Sequence, residues 1–165
     1  MNYYIIIRGP LGCGKSTISK ELSKILNAKY FAVDEILDEF KLTKNKEKGY
    51  ISQKSFIKAN EIIAKRAINY LNENHPVIFD GNFYWKSQIE DLIKKLNFEY
   101  YIFTLNLPLT ECINRDKKRV KTYGKDAKIY IVDLPRGIAK ADSRFSDEFF
   151  LTKSQLTDIW NKGSK

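Results

Sequence analysis

The stretch Gly9-Pro10-Leu11-Gly12-Cys13-Gly14-Lys15-Ser16-Thr17 concentrates residue types that can do chemistry together. Its glycines let the backbone wrap tightly, so that successive N–H groups point inward at an anion. Lys15 adds a mobile cation, and the Ser16 hydroxyl can ligate a hard divalent cation such as Mg²⁺. The helix-patterned run that follows would set its positive N-terminal end against the same anion. The spacing G-x-x-x-x-G-K-[ST] is met at every position, which points to the phosphates of a nucleotide, ATP with Mg²⁺ being the expected pair. The plain alternative is a glycine turn that happens to end in Gly-Lys-Ser. The β-branched run before it and the amphipathic run after it favour the phosphate cradle.

Further acidic and basic residues suit what a held phosphate can undergo. In "VIFDGN" an apolar run delivers Asp80, a carboxylate that either holds Mg²⁺ or forms an Asp-Gly turn. Asp34, in "YFAVDEIL", either orients an attacking hydroxyl in line with the terminal phosphate or caps the helix beginning at Glu35. Arg115 and Arg119 lie four apart, hence on one helix face, and suit the charge that builds on a transferring phosphoryl group. Their alternative is a basic solvated face like that of Lys117, Lys118 and Lys121. Only 6 of the 29 basic residues are arginine, and that sparing use favours function for the pair. The segment of about 115–145, with Gly124, is the expected lid. Tyr84 either stacks on a bound ring or packs, as does Trp85. His75 precedes Pro76 at a strand entry, at the edge away from this chemistry. No D-x-x-G switch or N-K-x-D base-reading motif is present.

These residues need a scaffold of alternating strands and helices. Tyr3 to Arg8 reads as a strand buried on both faces. Ser16 to Leu26 reads as a helix burying Ile18, Leu22, Ile25 and Leu26. Lys29 to Val33 is a second strand, with a helix from about Glu35 to Phe40. Ser52 or Ser55 caps a long helix running to about Asn74. Val77 to Phe79 is the third strand, about Lys86 to Leu96 a helix, and "YYIFTLNL" the fourth strand. Pro108 opens the helix that carries the two arginines. Beyond Lys125 the pattern predicts a short helix to about Val132, an irregular loop through Ser146, a strand near Glu148 to Leu151 and a helix from Ser154. Such alternation is an α/β fold with a mainly parallel sheet and helices on both faces. Ligands of these sheets sit beyond the carboxyl ends of the strands, where Gly9, Asp34, Asp80 and Leu107 all follow strand ends.

Bulk properties set the frame. The 165 residues suit a single domain, with 43% hydrophobic and 30% charged residues as in soluble globular proteins. No apolar run approaches the ~20 residues of a membrane span. The N-terminus lacks a basic region and a cleavage site, and Cys13 and Cys112 are too few for a disulfide framework, so the cytoplasm is expected. The net charge of +9 comes from scattered lysines, read as solvated faces, with a nucleic-acid partner left open.

The glycine-rich loop, "VDEIL", "VIFDGN" and "LNLPLTECINRDKKR" together resemble the small P-loop kinases that span nucleoside-monophosphate, shikimate and gluconate kinases. The closest likeness is to the branch of chloramphenicol phosphotransferase, zeta-type toxins and polynucleotide 5′-hydroxyl kinases, over about residues 3–132. The resemblance implies a three-layer P-loop NTPase fold with a five-stranded parallel sheet in the order 2-3-1-4-5. It also implies ATP, Mg²⁺ and phosphoryl transfer to a hydroxyl. Lys15 and Ser16 match phosphate and Mg²⁺ groups, Asp34 the acceptor-orienting aspartate, and Arg115 and Arg119 the lid arginines. Asp80 and Asn82 match part of a "D-x-T-N" acceptor motif. An arginine common shortly after the second-strand aspartate is replaced by Leu37 and Asp38. A nucleoside or other small molecule is the expected acceptor, with a polynucleotide 5′-hydroxyl or a nucleotide-binding protein without an organic acceptor as alternatives. Arg136 and Arg144 are read as surface groups.

Overall fold

The central strand, Tyr3–Arg8 (β1), is apolar along its length because both faces are covered. Its odd and even residues pack into different layers. Tyr4 and Ile6 join one core cluster, Ile5 and Ile7 the other. The same period of two divides Val77 and Phe79 from Ile78. The computed structural model describes residues 2–105, 107–118 and 149–151.

In chain order, α1 (Lys15–Ile25), β2 (Lys29–Ala32) and α2 (Val33–Glu39) follow β1, then a 3-10 turn at Leu42–Lys44. A small hairpin, β3 (Lys46–Glu47) and β4 (Tyr50–Ile51), leads into α3 (Gln53–Asn72). Next come β5 (Val77–Asp80), α4 (Lys86–Leu96), β6 (Glu99–Leu105), α5 (Leu109–Lys117) and β7 (Phe149–Leu151). The body of the sheet is four parallel strands in the order β2-β5-β1-β6. The three-residue β7 pairs in parallel with the end of β6. Of the five-stranded sheet expected in the order 2-3-1-4-5, four strands form the body in that order, and β7 is only a three-residue outer segment. The expected α/β architecture with a parallel sheet is met.

One core layer joins the sheet to α2, α3 and α4 through Val33, Leu37, Phe56, Ile63, Ile89 and Leu92. The opposite layer joins it to α1 and α5 through Ile18, Leu22, Cys112 and Ile113. Burying one such aliphatic side chain contributes about 1.5–3 kcal/mol, so these layers fix the strand order. Ile25 departs from the expected buried face of α1 and is 53% exposed.

Two helix starts differ in how they are capped. Ser52 caps α3, its Oγ accepting from Ser55 N at 3.2 Å, while Glu47 accepts from Gln53 N at 3.1 Å. Two orphan donors of the first turn are thereby satisfied. By contrast α2 begins at Val33 with Ala32 in the capping position and no side-chain cap. Asp34 thus lies within the first turn, and its expected alternative role as helix cap is excluded.

The pattern between Phe40 and Ser52 carried no assigned element, yet it holds the β3–β4 hairpin. Lys48 and Gly49 turn it with φ of 52° and 84°, the left-handed pair that a tight hairpin needs. Trp85 Nε1 and the Tyr84 hydroxyl donate to the Ile51 carbonyl at 2.9 and 3.3 Å, which ties the hairpin to the segment after β5. Arg119, most of the expected lid of about 115–145, Arg136, Arg144 and the expected C-terminal helix lie outside the described residues.

Candidate functional site

Strand register brings the distant segments together. Asp80 pairs with Ile7 on β1 and with Ala32 on β2. The chain leaves those two strands for Gly9 on one side and Asp34 on the other, so the glycine loop and Asp34 flank Asp80. All three meet at the carboxyl edge of the sheet, as the topology expects.

The loop is built by close approach. A Cβ on Gly12 (φ +82°) would lie 2.4 Å from the Cys112 carbonyl oxygen of α5, so only glycine fits there. Gly14 takes φ +96° and starts α1 without a side-chain cap, leaving the first-turn N–H groups available to an anion. Lys15 is 7% exposed, and its ammonium donates to the carbonyls of Gly9 and Pro10 at 3.0 Å each. Pro10, Leu11 and Cys13 complete the turn, with Leu11 and Cys13 buried in the α1–α5 layer. Ser16 and Thr17 are exposed at the start of α1. A buried ammonium resting on backbone carbonyls, beside uncapped N–H groups, fits a phosphate chain.

The acidic groups sit at different depths. Asp80 is buried; its Oδ2 accepts from the Tyr30 hydroxyl at 2.9 Å, while Oδ1 is buried without a hydrogen-bond partner among the described residues. Asp34 is half-buried, and its carboxyl is pushed up to about 6. Desolvation is the main cause, opposed by Lys15 and reinforced by Asp80, Asp38 and Glu35. That electrostatic neighbourhood places Lys15, Asp34 and Asp80 within one field. Asn82, half-buried, likewise has a buried Oδ1 without a partner among the described residues.

Arg115 pairs with Glu111 one turn earlier on α5, and its guanidinium lies 3.9 Å from where a Cβ on Gly14 would be. It therefore borders the loop. The half-buried Tyr84 ring packs against Phe56 at 5.1 Å and Tyr50 at 5.3 Å. His75 is exposed at the opposite edge, as expected. The two thiols are not exposed nucleophiles; burial pushes Cys13 up and Cys112 up to about 11.

Two polar residues of this edge, Arg8, expected only as the strand end before the loop, and Tyr30, were assigned no chemical role from sequence. Arg8 is 2% exposed and donates from Nε to Thr104 Oγ1 at 2.8 Å. Tyr30 pairs with Ile78, so it shares a sheet face with Asp80 two residues on. That parity is the signal that would have linked the phenol to Asp80.

For Mg²⁺ the donor set fits in part: a serine hydroxyl and a carboxylate oxygen without a partner among the described residues, both hard oxygen ligands. No cluster of three or more His, Cys, Asp or Glu suited to a metal occurs among the described residues. Such a site binds the ion together with phosphates rather than as an all-protein cage. Among the described residues no helix is long and apolar enough to cross a membrane.

A gluconokinase from Sinorhizobium meliloti 1021 superposes with a TM-score of 0.68 at 13% identity, over 98% of this chain and 89% of that one. A sugar kinase from Janibacter sp. HTCC2649 superposes with a TM-score of 0.74 at 12% identity, over 98% and 94%. Identities this low speak to the fold. No curated protein matches the sequence. A family model described as AAA domain matches residues 5–133, taking in the loop, α2, Asp80 and α5. The chain belongs to that AAA domain family, and it shares its fold with the two structures above.

Proposed function

We propose that this protein is an ATP-dependent phosphotransferase that moves the γ-phosphate to a hydroxyl of a small organic acceptor. The observation that carries the reading is the meeting of Lys15, Asp34 and Asp80 beside the uncapped N-terminus of α1. A loop that only bound nucleotide would have no use for a desolvated carboxylate at its acceptor side.

In this reading the amides of residues 9–17 and Lys15 hold the phosphates. Ser16 and Asp80 hold Mg²⁺, which when bound offsets charge on the terminal phosphates. Asp34 accepts the proton of the acceptor hydroxyl as its oxygen bonds to the γ-phosphorus and the bond to the β-phosphate oxygen breaks, releasing ADP. Arg115 faces the charge on the transferring group, with Arg119 and the 115–145 lid assigned alongside it from sequence. Asn82 offers an acceptor contact. The whole chain is taken as one domain.

The neighbours are by name a gluconokinase and a sugar kinase, which favours a small polyhydroxylated acceptor. The likeness to the chloramphenicol phosphotransferase and polynucleotide kinase branch rests on sequence motifs alone.

The test is γ-labelled ATP with sugars, sugar acids, nucleosides and 5′-hydroxyl oligonucleotides. Label on a small acceptor, lost in Lys15→Ala together with the ATP-induced melting shift, is expected. Label released only as free phosphate would make the protein an ATPase, and label on the oligonucleotide would move the acceptor to nucleic acid.

A further inference from the structure

Asp80 can serve a metal only if its carboxylate is held in one orientation. A carboxylate has two equivalent oxygens and turns about its Cβ–Cγ bond, so a partner on one oxygen determines which lone pairs remain for the ion. Here the partner is a phenol. The Tyr30 hydroxyl donates to Oδ2 at 2.9 Å, across 50 residues of chain, and Oδ1 is left buried without a partner among the described residues.

Ser16, in the first turn of α1, also acts on the Tyr30 phenol, lowering its hold on the proton against the burial that raises it. Tyr30 and Asp80 are thus one hydrogen-bonded pair joining β2 to β5, with Ser16 of α1 alongside. Tyr30 itself is fixed by its strand, by half-burial and by the Lys20 ammonium 5.6 Å from its ring centre. The register of β2 on β5 puts its side chain on the face shared by Ile78 and Asp80.

We infer that Tyr30 is a positioning residue for the divalent-metal side of this site, fixing Asp80 through Oδ2 so that Oδ1 is presented beside Ser16. The inference rests on the phosphotransferase reading. It adds a residue that touches neither phosphate nor acceptor and acts through Asp80. A hydroxyl that only satisfied a buried carboxylate would affect stability. A positioning hydroxyl affects the metal's contribution to nucleotide binding and leaves metal-free binding alone.

Tyr30→Phe retains the ring and removes one oxygen. ADP is titrated into wild type and variant by calorimetry, once in EDTA and once in excess Mg²⁺. Bound Mn²⁺ in the ADP complex is counted by electron paramagnetic resonance. The metal-free affinity is expected to stay within ~twofold, while the gain on adding Mg²⁺ and the Mn²⁺ affinity fall ~10-fold or more. In an Asp80→Asn background Tyr30→Phe should cost nothing further, since the two act as a unit. Metal-free binding doubles as the folding control. An unchanged Mg²⁺ gain in the variant, or equal losses with and without metal, overturns the role of Tyr30 alone. A wild type whose ADP binding ignores Mg²⁺ overturns the metal assignment itself and this inference with it.

Discussion

Asp34→Asn separates stability from chemistry at one atom. Burial lifts the Asp34 carboxyl from 3.8 to about 6, so the folded, ligand-free protein holds this proton more tightly than the unfolded chain does. The native state then binds more protons between those values, and stability falls as pH rises through that window. Below it the group contributes no penalty; above it the penalty is complete. A rise of about two units corresponds to about 3 kcal/mol at 1.36 kcal/mol per unit. Asparagine has nearly the same shape and no charge to desolvate. Asp34→Asn should therefore raise the melting temperature of the metal-free protein in EDTA at pH 7.5, by roughly 6–12 °C for a domain of this size. The gain should shrink as pH approaches 4, where the wild-type carboxyl is protonated in both states. Phosphoryl transfer should be lost because an amide cannot take the hydroxyl proton. Scanning calorimetry at several pH values and the labelled-ATP assay read the two effects. No thermal gain at pH 7.5 would refute the desolvation argument. A gain with near-normal turnover would leave Asp34 as a strained but unused carboxylate.

Two other outcomes follow from the loop. Gly12→Ala should destabilise far more than Gly14→Ala in urea titrations: both strain a positive φ, at about 1–3 kcal/mol each, but only Gly12 also collides with backbone, at the Cys112 carbonyl. Equal losses would show that the approach of α5 to the loop is not tight. Cys13 and Cys112, buried and held as thiols by desolvation, should resist a chromogenic disulfide reagent at pH 8 until urea unfolds the protein. Rapid native labelling would mean that the loop opens readily.

Much of the site was legible because its signals are local. The loop from Gly9 to Thr17 announces itself by spacing within a single turn of chain. The long helix α3 shows its cap at Ser52, and β1 and β5 show their double burial in unbroken apolar runs. Those features depend on residues a few positions apart, where backbone geometry alone imposes the pattern.

The remainder depended on partners far along the chain. The sequence left Asp34 as a possible helix cap, whereas the fold starts α2 at Val33 with Ala32 in the capping position and sets Asp80 and Lys15 near its carboxyl. The ring neighbours of Tyr84, Phe56 and Tyr50, come from elements about 30 residues away. The demand for glycine at position 12 comes from Cys112, and the partner of Asp80 Oδ2 is Tyr30, each on a separate element that only the strand and helix packing brings near. The chemistry a residue type can perform is written in the chain, because it belongs to the side chain. Which oxygen is buried, which is bonded and which remains for a ligand follows from packing between distant elements, and so belongs to the folded molecule.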